Sequence, residues 1–463
     1  MFNSEVYKRR RTELRKSFKS GLALILGNSE ASMNYPSNTY HFRQDSNFLY
    51  FFGLDFPDLA GIVDFETGND ILFGDDLTID DIIWMGDQPS IRDRALLVGV
   101  ENTRPQAKLA EYLAEAIKKG RQIHFLPPYR GENKMYLESL LGIPAAKAKE
   151  NASNQLIRAI IALRSIKDSG EIAELDKIAN VGYEMHVKAM RMAREGRWEQ
   201  TIAGTIEGIA LANGGMTSFP VILSQNGQIL HNHDHSQTLK NGRLMLCDAG
   251  AESIMRYASD HTRTSPVGGK FTTRQREIYE IVLNANNGAM NATKPGITYQ
   301  EVHLLAARVI AQGLTDLGIM KGNVDEAVKA GAHALFFPHG LGHMIGLDVH
   351  DMEDLGQSLV GYDDETQPMD QFGTASLRMG RKLQPGFAIT NEPGLYFIPA
   401  LIDMWKKDNK LSQFINYNVV ETYKDFGGIR LEDMLLVTDD GCRILGKRPP
   451  ISIAEVESNA GTE

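Results

Sequence analysis

The sequence predicts a chain of two domains, a smaller α/β domain followed by a larger α+β domain, and three observations carry that expectation. At 463 residues the chain exceeds what one core usually organises, since domains run at roughly 150 residues each. Up to about residue 160, short strand-like and helix-like runs alternate, the pattern of an α/β domain. Beyond that point long helical patterns and strand-like runs come in blocks, which suits an α+β domain with mostly antiparallel strands.

In the first domain, residues 22–27 read as a buried strand, 48–52 as an aromatic strand, and 71–73 as a third. Residues 107–119 read as a helix and 123–126 as a further strand. No Gly-rich phosphate loop opens any helix of this domain. A helical stretch at 156–163 leads to Asp168 and Glu171, whose spacing is that of a capping box, and a long helix is expected to about Arg194. The boundary therefore falls near Ser165, giving domains over 1–165 and 166–446. In the second domain 244–247, 387–390 and 431–437 read as strands, and 273–290 and 299–317 as helices. Residues 447–463 form a C-terminal tail, expected to lack structure from Ile451 on because it is polar.

Apolar residues make up 42% and charged residues 23%, the balance of a soluble globular protein. A net charge of -10 argues against nucleic acid or an anionic membrane as the main partner, because both reward positive charge. The cluster Lys8-Arg9-Arg10-Arg11, on a helix with Leu14 and Phe18 at helical spacing, reads as a solvated face. Two cysteines, Cys247 and Cys442, cannot build a disulfide framework and fit a reducing compartment. No apolar run of signal-peptide or membrane-spanning type occurs, so the expected location is the cytoplasm.

Nine of the 12 histidines fall between His231 and His350, most of them beside carboxylates. Asp248, Asp260, Glu392 and Glu432 each follow or interrupt an apolar, core-like stretch, where a charge is expensive unless paired or bound to metal. With His343 they make four oxygen donors to one imidazole and no thiolate. That set favours Mn²⁺, then Co²⁺, Fe²⁺ or Zn²⁺, and disfavours structural zinc. Taken singly, each acid also fits an ordinary strand-end or salt-bridged residue.

Five motifs carry a resemblance: Asp-Ala-Gly at 248, Asp-x-Thr-Arg-Thr at 260, His-Gly-Leu-Gly-His at 339, Asn-Glu-Pro-Gly-Leu-Tyr at 391 and Gly-Ile-Arg-Leu-Glu-Asp at 428. With them the chain resembles the creatinase and aminopeptidase P/prolidase family of metallopeptidases over nearly its whole length. The segment from Tyr40 to Tyr50 looks like that family's non-catalytic N-terminal domain. The resemblance implies a pita-bread catalytic domain preceded by a creatinase-like α/β domain. It implies two divalent ions, with Asp260 and Glu432 bridging, Asp248 on one ion, and His343 and Glu392 on the other. His231 and His350 would flank the scissile group, His339 would line the substrate pocket, and Arg430 would support a ligating carboxylate. His233 and His235, beside His231, are expected to be exposed loop residues. Asn391 departs from the family pattern, in which a small or apolar residue is usual.

The implied reaction is hydrolysis of an Xaa–Pro bond by a metal-bridging hydroxide, with Glu392 handling the proton and His231 and His350 donating hydrogen bonds. The partners so implied are peptides with proline second, and a homodimer or homotetramer. Two features bear on peptide length. Arg378 resembles a prolidase arginine that holds the dipeptide's carboxylate, whereas Trp84 resembles an aminopeptidase P residue that approaches a neighbouring subunit's site. The reading adopted is an aminopeptidase P, with prolidase as the alternative and a metal-free scaffold as the non-enzymatic one. Gly441 to Lys447 fits seven positions of a P-loop, but Arg448 stands where Ser or Thr must bind Mg²⁺, which excludes it.

Overall fold

The structure, a computed structural model, describes residues 1–463. They divide into two compact units, Met1–Arg164 with Glu353–Gly356, and Ser165–Met352 with Gln357–Glu463. In the first unit a five-stranded sheet runs in the order Asn102–Arg104, Asp70–Phe73, Ala60–Asp64, Leu22–Leu26, Ile123–Phe125. Its three central strands pair antiparallel and the outer two parallel. Leu24, Ile62 and Phe73 meet Leu113 of the helix Leu109–Lys118 in one buried cluster.

Two local expectations fail here. Residues 48–52, expected as a strand, lie in the helix Ser46–Phe52. Asp45 caps it by accepting from the Phe48 N–H, and Gly53, at φ 62°, closes it in the left-handed conformation that glycine adopts without strain. All seven of its residues are buried, so the aromatic run that mimics a strand is a helix enclosed on every side. The basic cluster is not wholly a solvated face either. Arg10 and Arg11 are buried, and the Arg11 guanidinium donates to the Asp70 carboxylate and to the carbonyls of Phe51, Val98 and Gly99. A buried guanidinium is tolerable only when its donors are used in this way.

The second unit opens with the helix Ser169–Arg191, whose N-terminus carries the expected Asp168/Glu171 capping box. The helices Thr273–Ala292 and Tyr299–Asp316 pack together, and the strands beside them are antiparallel throughout. One sheet orders His261–Pro266, Leu244–Ala249 and Ile222–Ser224; another orders Ala388–Asn391, Asp433–Val437 and Cys442–Ile444. A two-stranded ladder joins Gly394–Tyr396 to Gly428–Arg430. Two stretches of chain, 388–396 and 428–437, thus run side by side and each changes sheet midway. The changeovers fall at residues 392–393 and 431–432, so Glu392 and Glu432 sit where regular pairing is interrupted. A single bridge between Thr262 and Glu432 ties the second changeover to the first sheet.

The C-terminal tail differs from expectation as well. Ile453–Asn459 is a helix with a Ser452/Glu455 capping box, and Val456 is fully buried. Its polar composition hid three buried apolar residues, Ile451, Val456 and Ala460, and a strong N-terminal cap. No helix is long and apolar enough to cross a membrane.

Replacing Arg11 with leucine would leave Asp70 short of one partner and three buried carbonyls without any from this side chain. Breaking a buried charge network of this kind costs about 3–5 kcal/mol. Arg11→Leu is therefore expected to lower the thermal midpoint of the first unit markedly. An unchanged midpoint would show that the buried guanidinium is dispensable.

Candidate metal centre

Glu392, Glu432, Asp248, Asp260 and His343 all line one cavity of about 390 Å³ in the second unit. Its wall also holds His231, His233, His339, His350, Arg378 and Arg430, with Phe219, Pro220, Ile222 and Leu230 as an apolar flank.

Local folding explains how each ligand-type side chain arrives. Asp248 lies on the strand Leu244–Ala249, opposite Thr262 in register. Asp260 immediately precedes the partner strand. His343 is held against the strand Ala388–Asn391: its N–H donates to Thr390 Oγ1, and the Thr390 N–H donates to its carbonyl. This close approach explains Gly342, since a Cβ there would meet the Thr390 carbonyl oxygen at 2.1 Å. The His343 Nδ1 donates to the Met344 carbonyl at 3.0 Å, which turns Nε2 toward the acids. That Nε2 lies 3.4 Å from Asp260 and 3.7 Å from Glu392.

Asp260, His343 and Glu432 present ligand atoms all within 4.8 Å of one another. Asp248 Oδ1 and Asp260 Oδ1 are buried without a protein partner. Burial and the neighbouring carboxylates push Asp260 and Glu432 well above the usual carboxyl range, and burial pushes Glu392 up to about 7. Two ionised carboxylates about 4 Å apart repel by about 4 kcal/mol even at an effective dielectric of 20. Orphaned carboxylate oxygens, an imidazole nitrogen turned toward two acids and mutual repulsion are together what a divalent cation would relieve, and the oxygen-rich donor set fits it.

Supporting groups surround this cluster. Arg430 donates to Asp248 Oδ2 at 2.6 Å, to Thr262 Oγ1 at 3.2 Å and to the Tyr396 hydroxyl at 2.8 Å. The Thr262 hydroxyl in turn donates a hydrogen bond to Glu432 Oε2 at 2.8 Å. Tyr396 donates onward to His339 Nε2 at 2.9 Å, and His339 Nδ1 donates to the Gly340 carbonyl at 2.8 Å. Both His339 nitrogens are thus occupied, and burial, with Arg430 adding to it, holds the ring neutral with a pKa lowered to about 3. His350 stacks edge-on against His343 with ring centroids 4.3 Å apart. Burial, then Arg430, also lowers the pKa of His231.

The cavity therefore gathers His231, His339, His350, Arg378, Arg430 and all five ligand candidates. Trp84 is elsewhere: it is 85% exposed on the helix Ile79–Met85 of the first unit. His233 is exposed as expected but also lines the cavity, with Nδ1 donating to the Val221 carbonyl; His235, expected to be exposed, is half-buried, its Nδ1 held by the Leu223 carbonyl. Thr262 and Tyr396 were not singled out from sequence. Each lies inside one of the five motifs, which is the signal that could have found them.

Comparisons with known proteins agree with this geometry. Residues 173–439 match the model of metallopeptidase family M24, and residues 7–124 that of the aminopeptidase P N-terminal domain. The chain is 32% identical over 456 residues to a human Xaa-Pro dipeptidase, covering 95% of this chain and 89% of that one. It is 30% identical over 437 residues to a probable Xaa-Pro aminopeptidase of Sordaria macrospora, covering 93% and 89%. Among solved structures it is similar to Escherichia coli aminopeptidase P with the inhibitor Pro-Leu, at a TM-score of 0.80 and 28% identity over 99% and 98% of the two chains. The zinc-substituted form of that enzyme in complex with product gives the same values.

The raised carboxyl groups fix a pH response. A carboxyl that binds its proton more tightly folded than unfolded stabilises the fold at low pH, and that stability is lost as pH rises through the folded value. The buried histidines, with lowered values, act oppositely but are essentially neutral in both states only about one unit above their ordinary value, at about pH 7.5. Metal-free protein is therefore expected to lose thermal stability from about pH 7.5 upward, through the raised values of Asp260 and Glu432. With Mn²⁺ added the trend should reverse, because cation binding displaces the same protons. Parallel melting curves in chelator and in Mn²⁺ check this, and the same slope in both would contradict it.

Proposed function

The chain belongs to metallopeptidase family M24, and from that premise we propose that it hydrolyses the bond between a free N-terminal residue and a following proline. One observation carries the reading: four carboxylates and a histidine whose Nε2 faces two of them line a single cavity, with four further histidines in its wall. The relatives named above act, by their names, on Xaa-Pro bonds.

In this reading two divalent cations, Mn²⁺ in the first instance, would be held by Asp248, Asp260, His343, Glu392 and Glu432. When bound, they supply a water acidified to near neutrality and a Lewis acid for the peptide carbonyl. The protein's own groups do the rest. Arg430 and Thr262 fix the orientation of Asp248 and Glu432, so the ligands are preset rather than recruited. Glu392, with its side chain 18% exposed against 7% for Asp260, is the ligand best placed to exchange a proton with solvent or with the leaving proline nitrogen. His231 and His350 donate N–H groups to the carbonyl oxygen as charge develops there. His339, with both nitrogens committed, shapes the pocket and moves no proton. The X–Pro amide lacks an N–H and has a fixed φ, so a shallow apolar flank suits it better than a cleft lined with hydrogen-bond acceptors.

On peptide length, we infer an Xaa-Pro aminopeptidase that removes one residue from peptides of various lengths. A second reading, an Xaa-Pro dipeptidase, is favoured by Arg378. It lines the cavity, and its charge lowers the pKa of both His231 and His339, so a guanidinium stands within reach of a dipeptide's carboxylate.

Hydrolysis of Gly-Pro beside Arg-Pro-Pro-Gly, each with Mn²⁺ and with chelator, separates these readings. Release of the first residue from the longer peptide supports the aminopeptidase; cleavage of the dipeptide alone supports the dipeptidase; inertness of both overturns the peptidase. His350→Ala is expected to lower turnover by about 10²–10³, as for loss of an oxyanion donor, with metal content unchanged. Arg378→Ala should weaken Gly-Pro selectively if the second reading holds.

A further inference from the structure

Glu392 and Glu432 reach the cavity from two neighbouring stretches of chain, and their separation depends on what locks those stretches together. One side chain lies between them. The Asn286 amide, on the helix Thr273–Ala292 and fully buried, donates one bond to the Asn391 carbonyl at 3.2 Å and one to the Leu431 carbonyl at 3.0 Å. Each acceptor immediately precedes a metal-ligand candidate. Asn391 answers with its own amide, donating to the Asn286 backbone carbonyl at 3.0 Å. That bond gives a reason for the departure from family pattern at 391.

The amide holds both carbonyls only in one of its two orientations, because a flipped group would set its oxygen against theirs. The orientation is selected by Arg448, which donates to Asn286 Oδ1 at 2.8 Å and to Asp433 Oδ2 at 2.8 Å. Asp433 follows Glu432, and its other oxygen accepts from Arg263 at 2.6 Å. Arg263 in turn donates to the Glu432 carbonyl at 2.7 Å and to the Pro449 carbonyl at 3.0 Å. The segment just after the last strand therefore grips the backs of both ligand-bearing stretches.

We propose that Asn286 and Arg448 are positioning residues that set the affinity of the centre for divalent cations, making the C-terminal segment part of the metal site's scaffold. The proposal rests on the metallopeptidase reading. Neither residue touches the cavity, so they act through the spacing of Glu392 and Glu432. Loss of such outer partners typically weakens metal binding by roughly 10–100-fold.

The test titrates metal-free protein with Mn²⁺ by calorimetry and records its melting temperature without metal. Arg448→Ala and Asn286→Ala should each raise the Mn²⁺ dissociation constant by roughly 10–100-fold. Arg448→Lys, which keeps one donor, should recover part of the loss. Tyr279→Phe is the control: it removes a bond to the Ile451 carbonyl in the same segment without touching Asn286 or either ligand stretch. It should lower the melting temperature yet leave the dissociation constant near the wild-type value. Wild-type affinity in Arg448→Ala, or equal weakening in Tyr279→Phe, would overturn the proposal. A wild-type protein that binds no Mn²⁺ would overturn the metallopeptidase reading itself, a result distinguishable from either.

Discussion

Asp248, Asp260, Glu392 and Glu432 reach one cavity from four different points of the chain, and their mutual repulsion is the constraint to which the rest of the second unit answers. Without a cation the centre is strained electrostatically, and burial, with the neighbouring carboxylates adding to it, makes the Asp260, Glu392 and Glu432 carboxyls hold their protons well up the pH scale. Such a cluster persists only if surrounding structure over-determines it. Here that structure is the pairing of two antiparallel stretches, 388–396 and 428–437, with the acids at their breaks. Regular strand would bury half its side chains in a sheet; the breaks free Glu392 and Glu432 to face the cavity.

Arginine does much of the holding. Arg430 neutralises Asp248 and organises Thr262 and Tyr396, while Arg263 and Arg448 share Asp433, whose carboxyl they hold down to about 2. The contrast between adjacent acids is instructive. Glu432 is destabilised as an anion and Asp433 stabilised as one, because the chain turns one toward like charges and the other toward two guanidiniums. A planar, always-charged fork suits both tasks, since it satisfies several acceptors at once from a fixed direction.

How much of this was legible in the sequence follows from what each residue has to do. The five ligand candidates and His339 could be picked out because they lie in the short motifs that carry the family resemblance, while His231 and His350 rest on that resemblance outside those motifs. The capping box at Asp168 was legible through a local rule with local donors. Phe48 to Phe52 was misread because a helix buried on all sides shows no periodicity to distinguish it from a strand. Arg10 and Arg11 looked like solvent-facing charge because their acceptors, Asp70 and backbone carbonyls up to Gly99, are remote in sequence. Asn286 and Arg448 were invisible for that reason too. A polar residue in a helix and an arginine in a tail look like ordinary surface until the carbonyls they serve are brought to them.

The charge balance of the site bears on what it can accept. Four carboxylates against Arg430 leave three negative charges, and two divalent cations would overcompensate by one. That surplus would be balanced by the hydroxide nucleophile, whose negative charge passes to the peptide carbonyl oxygen as it is attacked. Arg378 adds positive potential on the side where His231 and His339 lie, and nothing in the hydrolytic step consumes it. A substrate whose chain ends there in a carboxylate gains an ion pair in a partly dry cavity; one that continues as neutral amide does not. The two readings of peptide length then differ in degree more than in kind. On the proposed reading, an apolar flank that admits a longer chain and a guanidinium that rewards a short one would coexist, and the shortest Xaa-Pro peptides would bind best.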